Sequence, residues 1–244
     1  MALADDILAI RERWHTKRHP FFGALAEGKL PIKAMGTYMA LHYKFVQFGL
    51  ASFGIFYART MQYEDIRKSI AENLAEEEGL KAIPQEGHQP HDHNELIFRF
   101  CKAAGLSEAE VRSMKMLPSW WGRSLHYYTT NVHEPIGVAL AMQSTQEGQQ
   151  PALNTEVVLP ALAKHYGYPA GSHEIEFFTE HAAADVEHSR RQAEGCTRFL
   201  DTDALKKRAL EVAEQACMLR WASITELYRR DYLGEKDILP PGLN

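Results

Sequence analysis

The segment HAAADVEHSRR sets His181, Asp185 and His188 at spacings of +4 and +3. At about 100° per residue they fall within roughly 60° of one another, on one stripe of a helix. Two imidazoles and a carboxylate on one stripe suit iron, zinc or manganese. Three further segments carry the same donor types. In IRKSIAENLAEEEG, Ile66, Ile70 and Leu74 mark a buried stripe that Glu77 continues. Glu77 is therefore expected to point at the core, and Glu76 and Glu78 to face water. In AMQSTQEGQQP, Ile136, Leu140, Gln143 and Glu147 are spaced +4, +3 and +4, which places Glu147 on the apolar face of an otherwise uncharged helix. A carboxylate there needs a positive partner. In HQPHDHNEL, His88, His91 and His93 crowd one loop, and His93 opens a helix carrying Leu96, Ile97 and Phe100. Taken singly, each segment has a plainer reading as a solvated face, a frayed acidic helix end or a loop of surface histidines, although two imidazoles on the 181–188 stripe favour a metal there. Together they bring three carboxylates and three histidines onto four helices, the inventory of a carboxylate-rich dimetal site in a helix bundle.

The elements that must position these residues are all helical. Candidate helices span 4–17, 19–28, 31–60, 64–79, 93–104, 119–131, 134–149, 153–166, 172–200 and 202–233, with a short one begun by a Ser107/Glu110 capping box. The stretch KAIPQEGHQPHDH reads as a loop from its Pro and Gly content, and LPPGLN as an extended tail. Alternating β-branched runs and Asn-Gly or Asp-Gly turns are missing, as are GxGxxG, Walker and nucleophile-elbow motifs. No Gly/Ser/Pro linker divides the chain, so residues 1–244 are expected to form a single all-α domain, a bundle of seven or more helices.

The composition sets further bounds. The 244 residues are 45% apolar and 24% charged, as in an ordinary soluble domain. The net charge of −5 argues against a nucleic-acid partner bound through a basic face. No apolar run is long enough to span a bilayer, and MALADDILAIRERW lacks the basic start and apolar centre of a signal peptide. Cys101, Cys196 and Cys217 are too scattered for a disulfide framework, which makes a reduced, cytoplasmic setting the expectation. A homodimer is expected because symmetric dimers are the commonest assemblies.

These segments resemble the haem-oxygenase-like dimetal oxidases, most closely their CADD-like branch, which is related in fold to PqqC and TenA. FFTEHAAADVEHSRR is similar to that branch's FTEH-x3-D-x2-H-x-R helix, NLAEEEG to its Asn-Leu-x-(Asp/Glu)-Glu-Glu helix, HNELIFRF to its His-x-x-Leu start, and QEGQQP to its Glu-Ser-Gln-x-Pro. GALAEGKLPIKAMGTYMALHYKF resembles its entry helices, so the likeness runs over about residues 14–200. The resemblance implies a haem-oxygenase-like bundle and puts metal ligands at Glu77, His93, Glu147, His181, Asp185 and His188. It implies two Fe ions, with Mn or a mixed Mn/Fe pair as the other filling that N/O ligands allow. It further implies O2 as co-substrate and an amino-acid-like or fatty-acid-like small molecule as the species oxidised.

Two departures stand out. The gap between Glu77 and His93 is longer than in close relatives, which leaves His91 and His88 as alternatives to His93. Where the 4-aminobenzoate-forming members carry a Tyr, HPFF places Phe22, which argues against a self-consuming tyrosine chemistry. Tyr43, Phe45, Phe48, Trp120, Trp121 and Tyr127 are candidates to line a cavity, most of them better read as plain core. Two other activities are known on this fold: a PqqC-like cofactorless oxidase and a TenA-like hydrolase of thiamin products. The first would leave three carboxylates without a task. The second wants a nucleophilic Cys beside a carboxylate, a context none of the three cysteines has.

Overall fold

A computed structural model describes residues 3–81 and 91–240. In chain order the helices are α1 (Leu3–Arg13), α2 (Pro20–Ala26), α3 (Ile32–Arg59), α4 (Glu64–Glu77), α5 (His93–Ala103), α6 (Glu108–Ser113), α7 (Pro118–His133), α8 (Ile136–Glu147), α9 (Gln150–Leu153), α10 (Leu159–His165), α11 (Glu176–Thr197) and α12 (Asp203–Asp231). Among the described residues no strand forms. His88 and most of the KAIPQEGHQPHDH segment lie outside them.

The sequence of α8 explains its place. IGVALAMQSTQE carries no charge until its last residue, and every side chain from Gly137 to Gln146 is buried. A helix apolar all round belongs at the centre of a bundle. α8 packs there against α11, α12 and α7, while α3 runs alongside α7, α5 and α4. The core between them is aromatic: Phe21, Phe22, Phe56, Phe100, Trp120, Phe177 and Phe178 are all fully buried. Each such side chain contributes about 1.5–3 kcal/mol by leaving water.

Where one helix was expected over 153–166, the chain forms α9, a π turn at Asn154–Val158, and α10. Pro160 has no N–H for the ladder, so the helix widens just before it. The buried Asn154 at this turn donates from Nδ2 to the Phe178 carbonyl of α11 at 3.1 Å. The Ser107/Glu110 capping box forms as expected, with the Ser107 N–H on Glu110 Oε2 at 2.7 Å.

The approach from α4 to α5 is tight. Gly79 has φ +67°, and an added Cβ would sit 2.5 Å from the Asp92 nitrogen and 2.7 Å from the His91 carbonyl carbon. Glu78 and Asp92 form an isolated antiparallel bridge at this point. Asp92 then caps α5, accepting from the Asn94 N–H at 2.8 Å. The glycine thus sets the spacing between Glu77, the last residue of α4, and His93, the first of α5. Gly79→Ala is expected to cost about 1–3 kcal/mol for the left-handed backbone alone. The backbone collision adds to it, so the melting temperature should fall by about 5 °C or more. Thermal melts with a parallel metal titration check this; an unchanged melt and unchanged uptake would show that the spacing is not held here.

Candidate metal centre

Four helices deliver the six residues singled out by sequence. α11 presents His181, Asp185 and His188 on one stripe, with 6% of His181 and 5% of Asp185 exposed. Glu77 and Glu147 are the last residues of α4 and α8. A carboxylate at a helix C-terminus meets the negative end of the dipole, so both positions favour a nearby cation. The six residues fall into two groups: Glu77, His93 and His181, and Glu147, Asp185 and His188. Within each group the ligand atoms lie within 4.8 Å of one another.

Each imidazole turns one nitrogen toward its group and the other toward an outer polar partner. His181 Nε2 is 3.9 Å from Glu77 Oε1, and its Nδ1 lies 2.9 Å from the Phe177 carbonyl. His93 Nδ1 is 3.0 Å from Glu77 Oε2, and its Nε2 is 3.3 Å from Glu180 Oε2. Neither nitrogen of His93 has a hydrogen bond of good geometry, although the residue is 3% exposed. His188 Nδ1 lies 3.9 Å from Glu147 and 3.8 Å from Asp185, and its Nε2 is 2.7 Å from Glu76 Oε2. Outer partners of this kind fix the tautomer and aim of a ligating imidazole.

Protons occupy the places where cations are wanted. Burial opposes charge on His93, yet Glu77 and Glu180 raise its pKa to about 10. Burial likewise opposes charge on His188, and Asp185, Glu76 and Glu147 overcome it, raising the pKa to about 11. Against the same desolvation, His93 holds Glu77 down at about 2. Burial, with His93 close by, lowers the pKa of His181. Glu147 is pushed up to about 8, first by burial and then by Asp185, despite the opposing pull of His188. Its Oε2 accepts from Gln192 Nε2 at 2.8 Å. Oxygen and nitrogen donors, buried and short of positive charge, fit divalent iron or manganese.

One expectation is overturned. Glu76 does not face water: it is 4% exposed and bonded to His188, whereas the Glu77 side chain is 18% exposed. The buried stripe of α4 runs through Ile66, Ile70, Asn73 and Glu76 and bypasses Leu74. Glu78 is exposed as expected. Sequence reasoning also missed Glu180, 1% exposed, whose only sign was its spacing of three from Phe177. Of the alternatives to His93, His91 points elsewhere: its Nε2 is 3.2 Å from Glu176 Oε1, which Arg99 also engages through Oε2. His91, Glu176 and Glu180 form a further cluster of possible donors, already partly neutralised by that arginine.

Both groups border one solvent-open cavity, about 600 Å³ with the open space at its mouth included. Phe45, Val46, Leu50, Phe53 and Tyr127 form its apolar wall, and Glu77, Glu147, His181 and Asp185 its carboxylate and imidazole side. Of the aromatics proposed to line a cavity, only Phe45 and Tyr127 do so; Trp120 is core, Tyr43 packs on Phe98, and Phe48 packs on Trp121, itself 45% exposed. None of the three thiols borders it, and burial pushes Cys101 up to about 12 and Cys196 and Cys217 up to about 11. Such thiols are poor nucleophiles.

The profile of a protein family described as iron-containing redox enzymes, haem-oxygenase-like, matches residues 37–221. The chain belongs to this family. Its members include oxidoreductases, and this chain is one. It is similar to the 4-aminobenzoate synthase of Nitrosomonas europaea, 26% identical over 217 residues that cover 89% of this chain and 86% of that one. A 4-aminobenzoate synthase of Chlamydia trachomatis is 22% identical, covering 88% and 87%. In fold the family member resembles a haem-oxygenase-like domain from Shewanella denitrificans, with a TM-score of 0.76 at 15% identity over 97% of this chain and 96% of that one. A TenA homologue from Pseudomonas syringae gives 0.73 at 13% identity, covering 93% of each. No described helix is long and apolar enough to cross a membrane.

Proposed function

We propose that Glu77, His93 and His181 hold one iron ion and Glu147, Asp185 and His188 a second. On this reading the chain is a non-haem di-iron oxidase that uses O2 to oxidise a small organic molecule bound in the adjoining cavity. The observation that carries it is the pairing of two ligand groups on one cavity, each with a carboxylate and at least one imidazole whose outer nitrogen is held by a separate polar partner. When bound, the two ions would supply reductive activation of O2. The chain's own residues do the rest. Glu76, Glu180 and the Phe177 carbonyl keep the imidazoles aimed inward. Phe45, Val46, Leu50 and Phe53 keep bulk water from the reacting atoms.

The relatives' names point to 4-aminobenzoate, but Phe22 stands where the 4-aminobenzoate-forming members carry Tyr. It is fully buried against Phe21 and Tyr38 and offers no phenol. The oxidised molecule on this reading is therefore a diffusible one, in keeping with the cavity. Anaerobic reconstitution with Fe(II), followed by metal counting and admission of O2, tests the proposal. About two irons per chain and iron-dependent O2 uptake are expected. Zero or one iron bound, or O2 uptake equal with and without iron, would overturn it.

A further inference from the structure

The same cavity has a second polar side that the metal ligands leave unused. Arg123 of α7 and Arg220 of α12 border it, together with His42 of α3, Gln146 of α8 and Gln150 of α9. Arg123 is 3% and Arg220 2% exposed. Neither guanidinium has a carboxylate partner among the described residues. Arg123 Nη2 reaches only Gln146 Oε1, at 3.5 Å, and its Nε and Nη1 have no partner. Its plane lies over the Phe45 ring at 4.1 Å and the Trp120 ring at 5.2 Å, which holds the head in place without meeting its N–H groups. Arg220 is anchored, with Nη1 on the Gln146 carbonyl at 2.6 Å and Nη2 on Gln150 Oε1, but its Nε is unmet. His42 Nδ1 and Gln146 Nε2 are also buried without partners.

A buried, unpaired guanidinium is strongly unfavourable, and two on one cavity more so, since each repels the other. Burial and the nearby Arg220 already push Arg123 down to about 9. Such an arrangement is stable in use only when an anion enters. We infer that Arg123 and Arg220 form an anion subsite of this cavity that binds the carboxylate group of the substrate, with Arg123 as its main contact. The inference rests on the di-iron reading for what happens to the rest of the molecule. A planar monoanion suits the site better than a phosphate, because the other side of the cavity already carries Glu77, Glu147 and Asp185. The apolar wall between the two polar sides takes the substrate's hydrocarbon part. Arg123 sat on the apolar face of its helix in sequence, three after Trp120 and four before Tyr127, which is the sign that could have revealed it.

The test is calorimetric titration of the full-length, metal-free protein with straight-chain carboxylates from formate to decanoate, each against its primary amide. n-Butyl phosphate serves as the phosphate arm. At least one acid is expected to bind about ten-fold or more tightly than its amide. That preference should vanish in Arg123→Met and be partly kept in Arg123→Lys. Equal binding of acid and amide throughout the series overturns the inference, as does an acid preference undiminished in Arg123→Met. Tighter binding of butyl phosphate than of every acid overturns the choice of carboxylate. Should Arg123→Met fail to fold, the wild-type acid-to-amide comparison and Arg123→Lys decide. Iron counting on the same preparations separates the two readings. Normal iron uptake with no acid preference defeats only the anion subsite, and an acid preference without iron uptake defeats only the di-iron reading.

Discussion

His181→Ala and Glu147→Ala are each expected to abolish iron-dependent O2 consumption, to about 1% of wild type or less, while leaving a folded helical protein. The two residues come from different candidate ligand groups, so the pair of variants tests both halves of the proposed centre. His181 contributes the Nε2 that faces Glu77; Asp185 and His188 of α11 belong to the second group, and the buried Glu180 lies on the far nitrogen of His93. Glu147 borders the cavity beside Asp185, and its loss leaves His188 and Asp185 alone on that side. The fold should survive because the aromatic core and the uncharged body of α8 are untouched; a single such change costs about 1–3 kcal/mol. The isosteric Glu147→Gln sharpens the point. In metal-free protein at pH 9 it removes a carboxylate that burial and Asp185 already push up to about 8, so it should melt at or above wild type. Circular dichroism, iron counting and an oxygen electrode check all three variants. Retained turnover in either alanine variant, or iron uptake at the wild-type level in both, would remove these residues from the centre.

Metal-free protein should lose stability as pH rises from about 6 to 9, and metal-loaded protein should gain it. The direction follows from where the protons sit. His93 and His188 have folded pKa values of about 10 and 11, above the ordinary imidazole value. Their contribution is fully present below about 6.5 and is lost as pH climbs through those folded values. Glu147, raised to about 8, favours the folded state most when protonated, so its contribution also declines on the way up. Glu77, held at about 2, acts the other way: its contribution is present above the ordinary carboxylate pKa and is lost only in strong acid. The metal-free optimum therefore lies at mildly acidic pH. Mn(II) or Fe(II) held by these residues would take the place of the imidazole protons, so uptake should release protons and tighten with pH. A fall of about 5 °C or more in the metal-free melting temperature is expected between pH 6 and pH 9. Melts across that range with chelator and with Mn(II), and proton release by calorimetry in two buffers, provide the check. A metal-free melting temperature that rises with pH would contradict the proton placement.

Helix type and the shared face of His181, Asp185 and His188 on α11 were legible from sequence because both depend on local periodicity. Spacings of +4 and +3 bring His181, Asp185 and His188 onto one face whatever that face meets. The expected start of α5 at His93 holds for a similarly local reason, since in the structure the Asp92 side chain caps the very next turn. Glu76 shows where such reasoning stops. The stripe through Ile66 and Ile70 was projected onto Leu74 and Glu77, but the turn that packs is the one through Asn73 and Glu76, against His188. Which flank of a helix end is buried depends on the neighbour's position, and that neighbour is more than a hundred residues away in the chain.

By itself, then, the chain of residues determined an all-α bundle, the donor types and their helices, because hydrophobic period and residue chemistry are properties of short segments. Only the tertiary structure decided the sorting of six donors into two groups and the burial of Glu76 and Glu180 behind the imidazoles. It also decided the meeting of Arg123 and Arg220 on the same cavity as the carboxylates. Those outcomes turn on angstrom-scale distances between helices far apart in sequence, and they are set by how the whole core packs.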